Sequence, residues 1–277
     1  MMKFLGTKDE GSIKLVGIPL DLTVSYRPGT RFAYGEIVKA SIAIETFSPY
    51  QFVDLEDFDI EDIGEIELPL GNLDRSLSMI EEFVDGISSH PFLIIGGEHL
   101  LTYPVIKSLK KRYDDLVILH LDAHMDMRDE YLGEKLSHAT TMRRVVELGV
   151  PVFSMGVRSF VKEEYDFVRG SDRVRFSPFR IDFDMLKDLS GRSLYVSFDA
   201  DVIDPSFLPG VGTPEPNGIT IKEVMDLINY ISGLDVRIVG IDFVEVNPII
   251  DPTGNTAVTA SFLVRELLLL LSRNVYK

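Results

Sequence analysis

The chain has 277 residues, enough for one large domain or two small ones, and 45% of them are hydrophobic, which supports a substantial packed core. Its 44 acidic and 28 basic residues give a formal charge of -16. That balance argues against nucleic acid, whose backbone selects positive surface, and serves either solubility alone or the attraction of a cationic small molecule. With no cysteine, disulfides and thiolate metal sites drop out and a cytoplasmic setting is mildly favoured. The opening residues turn charged before a signal-peptide core forms. No stretch reads as long and apolar enough to span a bilayer, so no membrane partner is expected.

In chain order, the apolar runs predict a strand over 13–18, a helix over 35–47, a strand over 51–55 and an acidic surface excursion over 56–67. A helix over 73–89, a strand over 92–95, a helix over 102–111, a strand over 116–121 and a helix over 140–148 follow. Then come a strand over 152–155, a helix over 161–168, strands over 173–176 and 193–198, a helix over 221–231, a strand over 236–241 and a helix over 256–271. Most of the strands are continuous apolar runs, as parallel strands covered on both faces are. The last helix carries Ala257, Ala260, Leu263, Leu267 and Leu270 on one stripe, and Arg265 and Glu266 mark it as a packed helix. Strand–helix alternation without a long linker or internal repeat predicts a single three-layer α/β domain over 1–277. Ligands in such sheets gather beyond the carboxyl ends of the strands.

That rule draws attention to three strand exits. The run Asp122-Ala123-His124-Met125-Asp126 follows the apolar segment 116–121, and its three metal-capable side chains face one side if the segment stays extended. Carboxylate oxygens with an imidazole nitrogen suit Mn, Zn, Fe or Co better than calcium. Asp199 and Asp201 leave the strand over 193–198, again on one face if extended. Packed carboxylates repel unless positive charge is supplied, so the two clusters together suggest two metals bridged by a carboxylate from each. Asp204, before Pro205, reads as a turn residue. At the third exit, Gly96 and Gly97 permit a tight turn, after which His99 is either a nitrogen ligand or a capping histidine. Among the remaining histidines, His120 reads as a support for the ligands or a core residue, and His90 as a surface-loop residue. His138 is either a helix-start decoration or a proton-exchanging group at the rim of the site.

The motifs Gly96-Gly97-Glu98-His99, Asp122-Ala123-His124-Met125-Asp126, Ser197-Phe198-Asp199-Ala200-Asp201 with Asp204-Pro205, Gly212-Thr213-Pro214-Glu215 and Asp242-Phe243-Val244-Glu245-Val246-Asn247-Pro248 resemble, in that order, those of the arginase/agmatinase family of ureohydrolases. The resemblance spans nearly the whole chain. It implies a three-layer α/β/α sandwich around an eight-stranded, mainly parallel sheet, two Mn2+ per subunit, and a homotrimer or homohexamer. It further implies that His99, Asp122, Asp126 and Asp199 hold one ion and His124, Asp122, Asp199 and Asp201 the other. A metal-bridging hydroxide would then attack the guanidinium carbon. Asp126 would orient the hydroxide, Glu245 would hold the guanidinium, and His138 would carry a proton to the leaving amine.

Within that family, arginases recognise the substrate's amino-acid end through an Asn- and Ser-rich loop. The corresponding loop here, 127–137, has no Asn and is acidic, which favours a cationic tail. The expected function is therefore an agmatinase that releases putrescine and urea. An aminopropylagmatine ureohydrolase yielding spermidine, an arginase or another guanidino-acid ureohydrolase are the alternatives. Arg128 suits a dication only if it points away or pairs with Asp129 or Glu130. The stretch around Arg27 and Arg31 also resembles agmatinases, with Ala33-Tyr34 in place of the usual Gly-Pro, and the two arginines read either as structural ion-pair formers, the favoured reading, or as recognisers of an anion. Two readings from other classes are a histone-deacetylase-like amidohydrolase, which needs one zinc and a histidine pair, and a metal-bearing assembly protein without activity.

Overall fold

A computed structural model describes residues 2–275. In chain order it contains β1 (Ile13–Ile18), α1 (Ala33–Ala40), β2 (Phe47–Ser48), β3 (Val53–Asp54), β4 (Ile60–Glu65), α2 (Leu73–Ile87), β5 (Phe92–Gly96), α3 (Thr102–Leu109) and β6 (Leu116–Leu121). After these come α4 (Thr141–Glu147), β7 (Val152–Val157), α5 (Lys162–Gly170), β8 (Val174–Pro178), α6 (Phe183–Leu186), β9 (Ser193–Asp199), α7 (Ile221–Gly233), β10 (Arg237–Val244) and α8 (Asn255–Val275).

Eight strands form one sheet in the order β4-β1-β5-β10-β9-β6-β7-β8, and every neighbouring pair runs parallel. The strands are apolar on both faces because both are covered. Ile13 and Leu15 of β1 join a core layer with α1, α6, α7 and α8, while Val16 and Ile18 join the opposite layer with α2, α3, α4 and α5. The result is the three-layer α/β/α sandwich around an eight-stranded parallel sheet that the motifs implied. Local signals set the helix starts. The Thr220 side chain accepts the Glu223 N–H at 3.2 Å while Glu223 reaches back to the Thr220 N–H at 2.8 Å, a reciprocal cap that opens α7.

Four expectations change. The segment 51–55 does not enter the main sheet; its strand portion, β3, pairs antiparallel with β2 in a separate ribbon. The eighth strand is instead β4, inside the acidic stretch expected to be a surface excursion. Along it Ile60, Asp62 and Gly64 are buried while Ile63 and Glu65 are exposed, the alternation of an edge strand. The buried Asp62 is satisfied by the Tyr34 hydroxyl at 2.7 Å and the Phe4 N–H at 2.8 Å. Tyr34 thus ties α1 to the sheet edge. The first helix stops at Ala40 and passes into a 3-10 turn, Ser41–Ala43, rather than running to 47. Finally, α8 is long and apolar enough by composition to cross a bilayer, contrary to the sequence reading, but 78% of that apolar window is buried within the protein. It packs on α1, α7 and β10 as a core helix.

Candidate metal centre

The four central strands, β5, β10, β9 and β6, release their chains at one edge, and each delivers part of the site. The exit of β5 passes close against the segment after β1. The Gly97 N–H donates to the Ile18 carbonyl at 2.8 Å and the Glu98 N–H to the Leu20 carbonyl at 2.7 Å. A Cβ on Gly97 would lie 1.8 Å from the Leu20 carbonyl oxygen, so only glycine fits. This turn starts the 3-10 segment His99–Leu101 and aims His99 across the sheet edge.

The Nδ1 atom of His99 is the centre of a carboxylate ring. Asp122 Oδ2 lies 3.1 Å away, Asp126 Oδ2 3.2 Å and Asp199 Oδ2 3.3 Å. His124 Nδ1 lies 2.9 Å from Asp201 Oδ2 and 3.5 Å from Asp122 Oδ1. All six predicted metal residues are brought together, with Asp122 reaching both histidines. The local backbone is not the extended one expected. Asp126 turns through a positive φ of 54°, and Asp201 sits in a 3-10 turn, Ala200–Val202, whose Asp201 N–H donates to Asp199 Oδ1 at 2.8 Å. Turns rather than pleat point these carboxylates inward. His120 lies within ligand distance of the same group. Both of its nitrogens are already engaged, with Asp122 Oδ2 at 2.8 Å and Ser154 Oγ at 2.9 Å, so it braces Asp122 from behind.

The electrostatics call for cations. Burial, then the charges of Asp201 and Asp122, push Asp199 well above the carboxylate range, and burial with Asp122 also raises Asp201. Burial acts upward on Asp122 too, but hydrogen bonds from His120, His124 and His99 bring it well below. His99 and His124 lose stability as cations through burial, yet the surrounding carboxylates raise both well above 6.5. His99 Nδ1 is fully buried without a hydrogen-bond partner, although three carboxylate oxygens surround it. An unpaired buried nitrogen facing three of four clustered carboxylates fits a divalent metal pair and is costly otherwise.

A cavity of about 210 Å³ opens above this cluster, lined among others by His99, His124, Asp126, His138 and Glu245. Glu245 leaves β10 with a positive φ of 63°, and burial pushes its carboxyl well above 4.5. Its Oε1 accepts the His99 N–H at 2.8 Å. His138 sits at the mouth between Thr23 Oγ1, 3.3 Å from Nδ1, and Ser25 Oγ, 3.4 Å from Nε2. Burial lowers its pKa below 6.5.

The arginase family model matches residues 11–270 of the chain. The chain belongs to the arginase family. An agmatinase of Bacillus cereus is 45% identical over 267 residues, covering 94% of this chain and 92% of that protein. A solved Clostridium difficile structure superposes with a TM-score of 0.93 at 36% identity, over 96% of this chain and 99% of its own. The agmatine ureohydrolase structure of Thermoplasma volcanium gives 0.87 at 30% identity, over 100% and 96%. The chain is accordingly a metal-dependent hydrolase of this family, with a binuclear His/Asp metal-binding cluster. The histone-deacetylase-like and assembly-protein readings are set aside.

Several residues around the family site escaped the sequence reading. Glu164, at the start of α5, lines the cavity and accepts the Met127 N–H at 2.9 Å and the Val161 N–H at 2.9 Å. In sequence it is one carboxylate among several on an acidic helix. By contrast, Glu130 and Glu134 of the acidic loop are exposed and do not line the cavity, and Asp129 pairs with Arg144 at 3.0 Å. Arg128 pairs with neither Asp129 nor Glu130; its guanidinium lies 5.0 Å from the Tyr131 ring and its Nε 4.0 Å from Glu164. Thr23 was also missed. Its hydroxyl donates to Glu98 at 2.7 Å and accepts the His138 N–H at 3.0 Å, locking the histidine loop to the β5 exit. Arg31 pairs with buried Asp21 at 2.9 Å, as expected, while Arg27 donates to the Gly212 carbonyl at 3.1 Å instead of forming an ion pair. Asp204 holds a turn through Ser206 and Gly218.

Proposed function

We propose that the chain is a binuclear manganese agmatinase that hydrolyses agmatine to putrescine and urea. The observation that carries this reading is a single small cavity shared by Glu245, His138 and the His/Asp cluster. His99, Asp122, Asp126 and Asp199 would hold one ion, and His124, Asp122, Asp199 and Asp201 the second. When bound, such ions supply Lewis-acid polarisation and lower the pKa of water. A donor set of carboxylates and imidazoles without thiolate supports manganese, and two ions per subunit match the four carboxylates in charge.

The remaining roles belong to side chains. Glu245 receives the guanidinium N–H groups in charge-assisted hydrogen bonds. Asp126 accepts a hydrogen bond from the attacking water and orients it. His138, neutral at the outset because burial lowers its pKa, takes up a proton and passes it to the departing amine nitrogen. The amine tail runs toward Tyr131, Phe160 and Glu164, two aromatic faces and a carboxylate suited to a cation. At about 210 Å³ the cavity falls below the roughly 300–1,000 Å³ of drug-sized pockets and suits a small, linear guanidinium compound. Arg128 on the same wall supports a second reading, a guanidino acid whose carboxylate it would bind. We further propose one domain across residues 1–277, a cytoplasmic setting, and a homotrimer or homohexamer. Exposed Phe32 and Ile249, on one shared surface depression, offer apolar area for self-association.

The test offers agmatine, aminopropylagmatine, guanidinobutyrate and arginine to manganese-loaded protein and measures urea. Agmatine should be turned over with the highest kcat/KM, with two ions per chain by elemental analysis. Absence of urea from both cationic amines would sink the substrate assignment, and absence from all four the ureohydrolase reading.

A further inference from the structure

Beneath the metal-binding side chains, four polar residues form a row across the middle of the sheet. Asp242 of β10 lies opposite Ser197 of β9, Ser197 opposite His120 of β6, and His120 opposite Ser154 of β7. Their exposures are 0%, 0%, 0% and 1%. A sheet covered on both faces would place apolar side chains here at no desolvation cost, so the row needs a reason.

The hydrogen-bond directions supply one. Asp242 is ringed by hydroxyl groups: Ser197 Oγ donates to its Oδ1 at 2.7 Å, Thr102 Oγ1 to its Oδ2 at 2.7 Å, and the Tyr195 hydroxyl to the same oxygen at 2.8 Å. A serine hydroxyl has one proton, and Asp242 takes it. The contact between Ser197 Oγ and His99 Nε2 at 2.9 Å is then a hydrogen bond only if Nε2 carries a proton and donates it. That leaves the lone pair of neutral His99 on Nδ1, the atom facing Asp122, Asp126 and Asp199. A row that served only to satisfy itself would have no need to reach His99.

We infer that Asp242 and Ser197 are positioning residues that fix His99 as the Nε2–H tautomer and so present Nδ1 to a metal ion. The relay rests on the reading of His99 as a ligand. Removing such an outer hydrogen bond typically weakens metal binding about 10- to 100-fold. Replacing the aspartate by asparagine puts an amide within reach of Ser197, which frees the serine proton to turn toward His99 Nε2 and favours the tautomer that blocks the site.

The experiment measures Mn2+ binding by equilibrium dialysis to the full-length protein and to Ser197→Ala, Asp242→Asn and His99→Ala. Thermal unfolding of each metal-free protein checks folding, and imidazole nitrogen spectra are recorded on the zinc-loaded wild type. One of the two ions should bind about 10- to 100-fold more weakly in each relay variant while the other is little changed. The wild-type spectrum should show a solvent-protected proton on Nε2 of His99. A proton on Nδ1, or wild-type binding of both ions by both folded relay variants, would overturn the relay. If His99→Ala also bound both ions normally, the ligand reading itself would fall. The wild-type spectrum decides the matter even if a variant does not fold.

Discussion

The main-chain N–H of His99 donates to Glu245 Oε1 at 2.8 Å across 146 residues of sequence. The group that would bind the metal and the group that would bind the guanidinium therefore share one hydrogen bond, and neither moves without the other. Glu245→Gln keeps the acceptor for this bond but removes the charge. We expect kcat/KM for agmatine to fall roughly 10- to 100-fold, as charge-assisted hydrogen bonds of about 1.5–3 kcal/mol are weakened, with metal content unchanged. Equal loss of bound manganese would show that Glu245 acts on the metal site.

His138 should set an acid limb of activity. Its pKa is lowered by burial, so the neutral form persists below pH 6.5 and is lost only as pH falls through the lowered value. The limb of kcat/KM due to this group should therefore lie below pH 6.5. His138→Asn should remove it and reduce the rate about 10²- to 10⁴-fold. Persistence of the limb in that variant would assign it elsewhere.

Asp251 fastens the start of α8. Although desolvation pushes its carboxyl up, hydrogen bonds from Thr253 and Thr256 hold it at about 2. A carboxyl depressed in the folded state stabilises above its unfolded value of 3.8 and loses that contribution as pH falls toward about 2. Asp251→Ala should cost about 1 kcal/mol near neutrality in chemical denaturation, by analogy with lost helix caps, and the difference from wild type should shrink across that acid window.

Arg265 and Glu266, buried within α8, form an ion pair at 2.5 Å. Glu266 also accepts from Ser48 Oγ at 2.8 Å and Gln51 Nε2 at 2.8 Å, so it anchors the β2–β3 ribbon. Arg265→Met leaves this carboxylate buried without its cation and should destabilise by about 3–5 kcal/mol, measurable in urea. The double variant Arg265→Met, Glu266→Leu should recover part of that loss.

The central strands and their exits were legible because a covered parallel strand is an uninterrupted apolar run and because ligand chemistry permits few residue types. His99, Asp122 and Asp199 announce themselves where such runs end. β4 was hidden because an edge strand alternates, and its inward Asp62 finds partners, Tyr34 and Phe4, that lie far away in sequence. Asp126 joins the cluster through a turn rather than the extended segment expected, since a positive φ leaves no mark on an ordinary side chain. Glu164 was illegible for a different reason. Two backbone N–H groups and a cavity distinguish it from Glu163, and neither is written in the local sequence.

The glycine turn at Gly97 and the turns after β6, β9 and β10 converge on one edge only when the four central strands are side by side. No segment of the chain, and no pair of adjacent elements, contains the complete set of donors. An ion that binds tightly therefore recognises the finished sheet and draws the unfolding equilibrium toward it by mass action. Chelation would then loosen the very strands that carry the chemistry, so the metal content of a preparation should set its thermal resistance as well as its turnover.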